Sequence, residues 1–102
     1  MARYMILALN GPTQGDAAEA AFNRWYDETH LPELRAVEGI VSARRFRTLH
    51  GNTPYPYFAA YEVETDDLDA FMKTMMTSMG PFPPEFDKAN SGNIVAMEIT
   101  PD

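Results

Sequence analysis

One short segment, residues 22–34, holds the side chains best suited to chemistry: an aromatic pair, a histidine and several carboxylates. Tyr26 and His30 are four residues apart, so on an α-helix their side chains lie on the same face. Asp27 lies one turn before the histidine. Because histidine has an ordinary pKa close to neutrality, His30 is the first candidate for a catalytic acid or base.

The end of this helix is predicted from Pro32. Proline disfavours helical geometry in the residue before it, so the helix is expected to end or kink near His30. A histidine at a helix C-terminus feels the negative end of the helix dipole, which favours its protonated form. A structural role as a helix cap explains the same pattern. Phe22 and Trp25 are interpreted as core residues, and Glu33 is expected to be solvated.

The composition is that of one globular domain, residues 1–102, with 45% apolar and 23% charged residues. No apolar run approaches the roughly 18 residues of a membrane-spanning helix. The net charge of -7 argues against binding to nucleic acid. The absence of cysteine excludes disulfides and thiolate chemistry and agrees with a reducing compartment. The first apolar run is too short for a signal peptide, so we predict a cytoplasmic protein.

Residue patterns predict four strands and two helices. The strands are expected near residues 3–10, 40–49, 57–63 and 94–100. The helices are expected to begin at the capping residues Asp16 and Thr65, and the second one carries a stripe of methionines. The order β-α-β-β-α-β predicts a ferredoxin-like α+β fold, with both helices on one face of a four-stranded antiparallel sheet.

The sheet face opposite the helices is predicted to be apolar. Apolar residues occupy alternate positions in three strands, and two helices cannot cover all of them. A large bare apolar face is rare on a soluble monomer, so we predict a symmetric homodimer with sheet packed against sheet. The residues at these alternate positions, whichever side of the sheet each set takes, are Met5, Leu7, Leu9, Phe58, Ala60, Val95, Met97 and Ile99.

The chain resembles the EthD-like branch of the dimeric α+β barrel superfamily. The motif that carries this resemblance is Phe22-x-x-Trp-Tyr-Asp-Glu-x-His-Leu-Pro-Glu-Leu, followed by Val37-x-Gly-Ile-Val-Ser-Ala-Arg-Arg-Phe46. The superfamily includes polyketide cyclases, isomerases, decarboxylases, dehydratases, monooxygenases and haem-degrading enzymes. The resemblance implies a homodimer with one pocket per subunit, between helices and sheet. It also implies that His30 is the motif histidine and Tyr26 the motif tyrosine one turn before it, and that Arg44 is the pocket's basic residue if its side of the strand, and not that of Arg45, points inward.

No cofactor or metal is predicted. Haem-binding branches use a histidine elsewhere, and His50, in a turn before Gly51, is expected to face solvent. The chain has no Gly-rich nucleotide loop, so flavin and nicotinamide lack support. His30 with Asp27 or Glu33 would supply two or three metal ligands at most, which is weak support for a metal site.

The resemblance and the residues together favour a cofactor-independent lyase, isomerase or cyclase acting on a small aromatic or polyketide-like acid. His30 would be the base, Tyr26 the hydrogen-bond donor to the enolate, and Arg44 the cation for a carboxylate or phenolate. Two alternatives use the same pocket: a cofactorless monooxygenase, in which a bound phenolate reduces oxygen, and a binding protein without turnover. The predicted substrate-binding residues are Trp25, Phe22, Phe46, Tyr57, Tyr61, Phe71 and Met75, with Phe82 and Phe86 on a Pro-rich loop as a lid.

Overall fold

The computed structural model describes residues 1–101, which form a four-stranded sheet with helices packed on one of its faces. The strands are β1 (Ala2–Asn10), β2 (Ile40–Arg47), β3 (Tyr57–Thr65) and β4 (Gly92–Met97). They lie in the order β2-β3-β1-β4, and every neighbouring pair is antiparallel. This arrangement confirms the predicted ferredoxin-like α+β fold, although β2 ends two residues earlier than predicted and β4 lies two to three residues nearer the N-terminus.

The helical segment after β1 is longer than predicted. Its parts are α1 (Asp16–Trp25), a π-helical turn (Tyr26–His30) and α2 (Leu31–Arg35). The backbone N–H of Leu31 donates to the carbonyl of Tyr26, and Leu31 keeps helical angles (φ -59°, ψ -46°) although Pro32 follows it. The helix therefore does not end near His30, and the irregularity predicted there takes the form of the π turn. The π turn adds a residue ahead of the proline ring, which relieves the clash that normally ends a helix there.

The second long helix, α3 (Leu68–Ser78), begins at a different cap from the one predicted. The carboxylate of Asp67 accepts a hydrogen bond of 3.0 Å from the backbone N–H of Ala70. Thr65 instead ends β3, and its hydroxyl accepts from the N–H of Asp67. Asp16 is already the first residue of α1, so its side chain makes no cap. Among the described residues, no helix is both long and apolar enough to cross a bilayer.

The core lies between the helices and one face of the sheet, here called the inner face. Strand pairing places Ile6 and Ala43 on either side of Tyr61. These three side chains meet Phe22 of α1 and Phe71 of α3, and all five residues are at most 5% exposed. Burial of one such side chain contributes roughly 1.5–3 kcal/mol. The inner face therefore holds the helices in place.

The opposite, outer face of the sheet is left uncovered by the helices. A β-bulge between Ile40 and Ser42 shifts the alternation in β2, so Val41 is 58% exposed. Phe46 stacks on Phe58 with ring centroids 5.0 Å apart. Strand register adds to this face Met5, Leu7, Leu9, Ala60 and Ile94.

We propose that a second copy of the chain covers the outer face. We expect a homodimer at micromolar concentration, sedimenting at about twice the 11.5 kDa mass of one chain. Leu7→Arg should shift this species toward monomer, because it places an unpaired charge at the centre of an apolar interface. Leu49→Arg is the matched control, since Leu49 is 80% exposed and follows β2 outside the sheet. A stable wild-type monomer at that concentration would contradict the proposal.

Candidate functional site

A cavity of about 260 Å³ lies between the inner face, the π turn and α3. Methionines of α3 form one wall, and Phe82 and Phe86, from the loop after α3, form another. Ligand pockets usually measure about 300–1,000 Å³, so this one suits a small ligand. The polar residues that line it are Asn10, Tyr26, His30, Tyr61, Ser91 and Asn93.

His30 is held in this cavity by aromatic rings. It is 3% exposed, and its ring stacks on Trp25 at 4.6 Å with an interplanar angle of 19°. Tyr26 and Phe82 meet it edge-on at 4.9 and 5.0 Å. This packing restricts the imidazole to one orientation.

Glu33 is the ionisable neighbour of His30. Its Oε1 lies 3.5 Å from His30 Nδ1, which is too long for a well-formed hydrogen bond. Its Oε2 accepts a hydrogen bond of 2.9 Å from the backbone N–H of Gly80. A Cβ at Gly80 would lie 2.8 Å from Oε2, so a larger residue there would displace the Glu33 carboxylate. Glu33 therefore contacts both the histidine and the residues just after α3, and with its side chain 26% exposed the expectation of a solvated side chain is met only in part.

The pKa of His30 is lowered below its ordinary value of 6.5. Burial penalises the charged imidazolium, and the Glu33 carboxylate opposes this effect without overcoming it. The prediction that a helix end favours protonated His30 is wrong, because the helix continues beyond it. His30 is neutral at pH 7 and is able to accept a proton.

Tyr26 and Tyr61 bring their hydroxyl groups together on the cavity wall, with the two oxygens 2.6 Å apart. Nδ2 of Asn10 donates to the Ala8 carbonyl at 3.2 Å and to the Tyr26 hydroxyl at 3.4 Å. The Arg45 guanidinium lies over the Tyr26 ring, 4.5 Å from its centroid. Burial raises the pKa of both tyrosines, so both hydroxyls keep their protons at pH 7.

Half of the predicted site residues line the cavity. They are His30, Tyr26, Tyr61, Met75, Phe82 and Phe86. Trp25 is not among the residues that line the cavity, but its ring stacks on the His30 ring, which does line it. Phe22 is fully buried in the core and contacts the Tyr26 ring edge-on at 5.8 Å.

Three predicted wall residues lie elsewhere. Phe71 is a core residue beneath α3. Tyr57 is on the inner face, but its hydroxyl donates to Glu19 at 2.5 Å instead of facing the cavity. Phe46 lies on the outer face against Phe58. The prediction of these three as walls is wrong, because strand alternation alone does not show which face the helices cover or how far the cavity extends.

Arg44 does not reach the cavity, so the prediction that it binds substrate is wrong. It lies on the outer face, its side chain is 60% exposed, and Nη2 is 3.6 Å from Oε1 of Glu62. Arg45 points inward instead, bonding Asp27 at 2.9 Å and Asn23 at 2.8 Å. It lies outside the set of residues that line the cavity.

Sequence reasoning missed Asn10, and it considered Glu33 beside His30 only as a metal ligand. Asn10 is 2% exposed and shares the inner face with Ile6 and Ala8, at the alternate positions of β1. A polar residue at the same alternate strand positions as buried apolar residues could have been recognised from the sequence as a site residue. The sequence indicated the position of Glu33 less clearly, because its spacing from His30 places both residues on one helix face only if the helix continues past Pro32.

The lowered pKa of His30 makes stability depend on pH. The unfolded chain protonates this histidine near pH 6.5, whereas the folded chain does so only at lower pH. The free energy of unfolding should therefore fall as pH drops below about 6.5. His30→Gln should reduce that fall, measured by denaturant unfolding at pH 7 and pH 5. His50→Gln is the matched control because His50 is exposed, and equal pH dependence in both variants would contradict the prediction.

Comparison with solved structures shows the fold. The sequence matches no family model and no curated protein. A DABB family protein with a ferredoxin-like fold from Mesorhizobium loti is 13% identical, covering 98% of this chain and 100% of its own, with a TM-score of 0.69. A candidate monooxygenase from Shewanella loihica is 14% identical over 99% of both chains, at 0.63. An EthD family protein from Bacillus halodurans is 18% identical over 97% and 100%, at 0.56. The chain therefore has a ferredoxin-like α+β fold.

Proposed function

We propose that this protein is a cofactor-independent enzyme of the lyase, isomerase or cyclase type. It moves a proton next to a carbonyl group of a small aromatic or polyketide-like molecule. The observation that carries the proposal is a buried, neutral histidine that faces the same cavity as a pair of protonated tyrosine hydroxyls. Those are the two groups that enolate chemistry requires, a base and a hydrogen-bond donor.

His30 is the base. Its Nδ1 is enclosed beside Glu33, so Nε2 is the nitrogen that a ligand in the cavity meets. When Nε2 takes the proton from carbon, the imidazolium gains a carboxylate partner in Glu33. The same proton then returns to another carbon of the substrate, or leaves with a departing group. Glu33 acts as a positioning residue in this scheme, because it contacts the histidine and not the reacting atoms.

The tyrosine pair is the donor. As the base removes the proton, negative charge develops on the carbonyl oxygen, and a hydroxyl proton from Tyr26 or Tyr61 stabilises it. The raised pKa of each tyrosine keeps that proton in place at neutral pH. The apolar methionine and phenylalanine walls exclude water and strengthen the hydrogen bond.

A second candidate is an oxygenase in which the substrate itself reduces dioxygen. Its support is the candidate monooxygenase from Shewanella loihica with the same fold. The cavity would then bind a phenol that is oxidised while dioxygen is reduced. Protein-dependent oxygen consumption with 2-naphthol, measured with an oxygen electrode, would favour this candidate.

Proton exchange tests the first candidate without knowledge of the natural substrate. We expect the protein to accelerate hydrogen–deuterium exchange at the carbon next to the carbonyl of 1-tetralone in deuterium oxide, followed by NMR. His30→Gln should lower the rate by about a hundredfold or more, the usual scale for one general acid-base group.

His50→Gln is the control for loss of a histidine, since its exposed side chain lies outside the cavity lining. Circular dichroism and melting curves would establish that both variants fold. An exchange rate in folded His30→Gln equal to that of wild type would contradict the role of the base. Such a result would leave a structural role for His30.

A further inference from the structure

Arg45 is a largely buried cation that contacts the tyrosine pair from outside the cavity lining. Its side chain is 13% exposed, and its guanidinium carbon lies 4.5 Å from the centroid of the Tyr26 ring. The rings of Tyr57 and Phe22 lie 5.3 and 5.5 Å from the same carbon. A desolvated cation is attracted to the face of an aromatic ring by the negative charge of its π electrons. Arg45 therefore acts on Tyr26 without entering the cavity.

Hydrogen bonds hold the guanidinium in this position. Nη1 donates to Oδ1 of Asp27 at 2.9 Å, and Nη2 donates to Oδ1 of Asn23 at 2.8 Å. Asn23 is neutral, and Asp27 is 60% exposed, so water screens its carboxylate. The positive charge of Arg45 is therefore only partly cancelled at the Tyr26 ring.

The two tyrosines differ in their distance from this charge. Arg45 contacts the Tyr26 ring directly, whereas Tyr61 is joined to Tyr26 through their hydroxyl groups, whose oxygens are 2.6 Å apart. Burial raises the pKa of Tyr61 more strongly than that of Tyr26, and the cation opposes the rise in both. Tyr26 is thus the more acidic phenol, and the more acidic of two hydrogen-bonded phenols is the better donor.

The contacts of Tyr26 indicate the same direction. Its hydroxyl oxygen accepts from Nδ2 of Asn10 at 3.4 Å, which leaves the Tyr26 proton to be donated to Tyr61. Both tyrosines line the cavity, but Tyr61 is 3% exposed and Tyr26 only 1%. When Tyr26 donates to Tyr61, the Tyr61 hydroxyl keeps a proton that is not used within the pair.

We propose that Arg45 is a positioning residue that directs the Tyr26 proton to Tyr61 and leaves the Tyr61 proton as the one offered to the cavity. This rests on the proposed function, because it concerns the hydrogen-bond donor of the same cavity. Tyr61 is then the donor to the developing enolate oxygen. Tyr26 strengthens that donor from behind, since hydrogen bonds in a chain polarise one another.

Ionisation of Tyr26 tests the role of Arg45 without any ligand. Tyrosines labelled with carbon-13 at the ring carbon that bears the hydroxyl would be followed by NMR from pH 7 into the alkaline range, with Tyr26→Phe assigning the resonance. Arg45→Met keeps a long side chain and removes its charge, so Tyr26 should ionise at higher pH than in wild type. Arg45→Lys, which keeps the charge, should reverse most of this shift.

A purely structural role of Arg45 predicts the opposite shift. Loosened packing would admit water to Tyr26 and lower its pKa toward the ordinary value of 10.0. Arg44→Met is the matched control, because Arg44 also lies over an aromatic ring, that of Phe46 at 5.6 Å, but on the outer face. It should leave the ionisation of Tyr26 unchanged.

Circular dichroism at each pH would establish that the proteins are folded. If Arg45→Met does not fold, Arg45→Gln, which keeps an amide donor, replaces it. An unchanged or lower pKa of Tyr26 in the folded variant would overturn the inference. Wild-type Tyr26 that ionises only as the protein unfolds would also overturn it, because Arg45 would then fail to offset burial.

The exchange assay with 1-tetralone tests which hydroxyl is the donor. Tyr61→Phe should lower the rate by about a hundredfold or more, the usual scale for loss of one donor to a developing oxyanion. Tyr26→Phe should lower it less, because Tyr61 keeps its own proton and loses only the support of its neighbour. An equal or larger loss in Tyr26→Phe would overturn the proposed order of the two tyrosines.

The two experiments separate this inference from the proposed function. If wild type does not catalyse exchange but Tyr26 responds to Arg45 as expected, the enolate chemistry fails and the direction of the tyrosine hydrogen bond stands. If exchange depends on His30 but Tyr26 does not respond to Arg45, the proposed function stands and the inference fails.

Discussion

The continuation of a helix through Pro32 is the constraint on which the site depends. Proline in a helix interior removes a hydrogen bond and collides with the carbonyl four residues before it, at a cost of about 3 kcal/mol. The π turn at Tyr26–His30 accommodates it by widening the helix just ahead of the ring. The helix then runs on to Arg35, so His30 lies within a continuous helical segment instead of at an exposed end. Its packing between Trp25 and Phe82 follows from that position.

Burial then decides the protonation state of the site. A helix end would stabilise a cationic histidine by about 0.3–1 kcal/mol, but the helix does not end at His30. Glu33 is partly exposed, so water weakens its attraction for the imidazolium. Desolvation is the effect that wins. The fold also leaves Asn10 Oδ1 and His30 Nδ1 without hydrogen-bond partners among the described residues, at roughly 1–3 kcal/mol for each such atom.

The sequence predicted the fold well and the site in part. Strand alternation, turn residues and the methionine stripe are local patterns, and they were enough for the element order. The spacing of Tyr26 and His30 survives because the π turn leaves both rings in contact. Alternation could separate Arg44 from Arg45 but could not show which of them lies beneath the helices. The hydrogen bond between Glu33 and Gly80 was not predicted, because it requires a helix that continues past a proline, which depends on tertiary packing.

Because side chains alternate between the two faces of a strand, the same strands contribute to the cavity on the inner face and to the exposed apolar surface on the outer face. In β1, Ile6 and Asn10 face the helices and the cavity, whereas Met5 and Leu7 face outward. Asn10 ends the inner row as a buried polar residue, and its amide donates to the Tyr26 hydroxyl on the cavity wall. A partner bound to the outer face would meet the backs of the same strands.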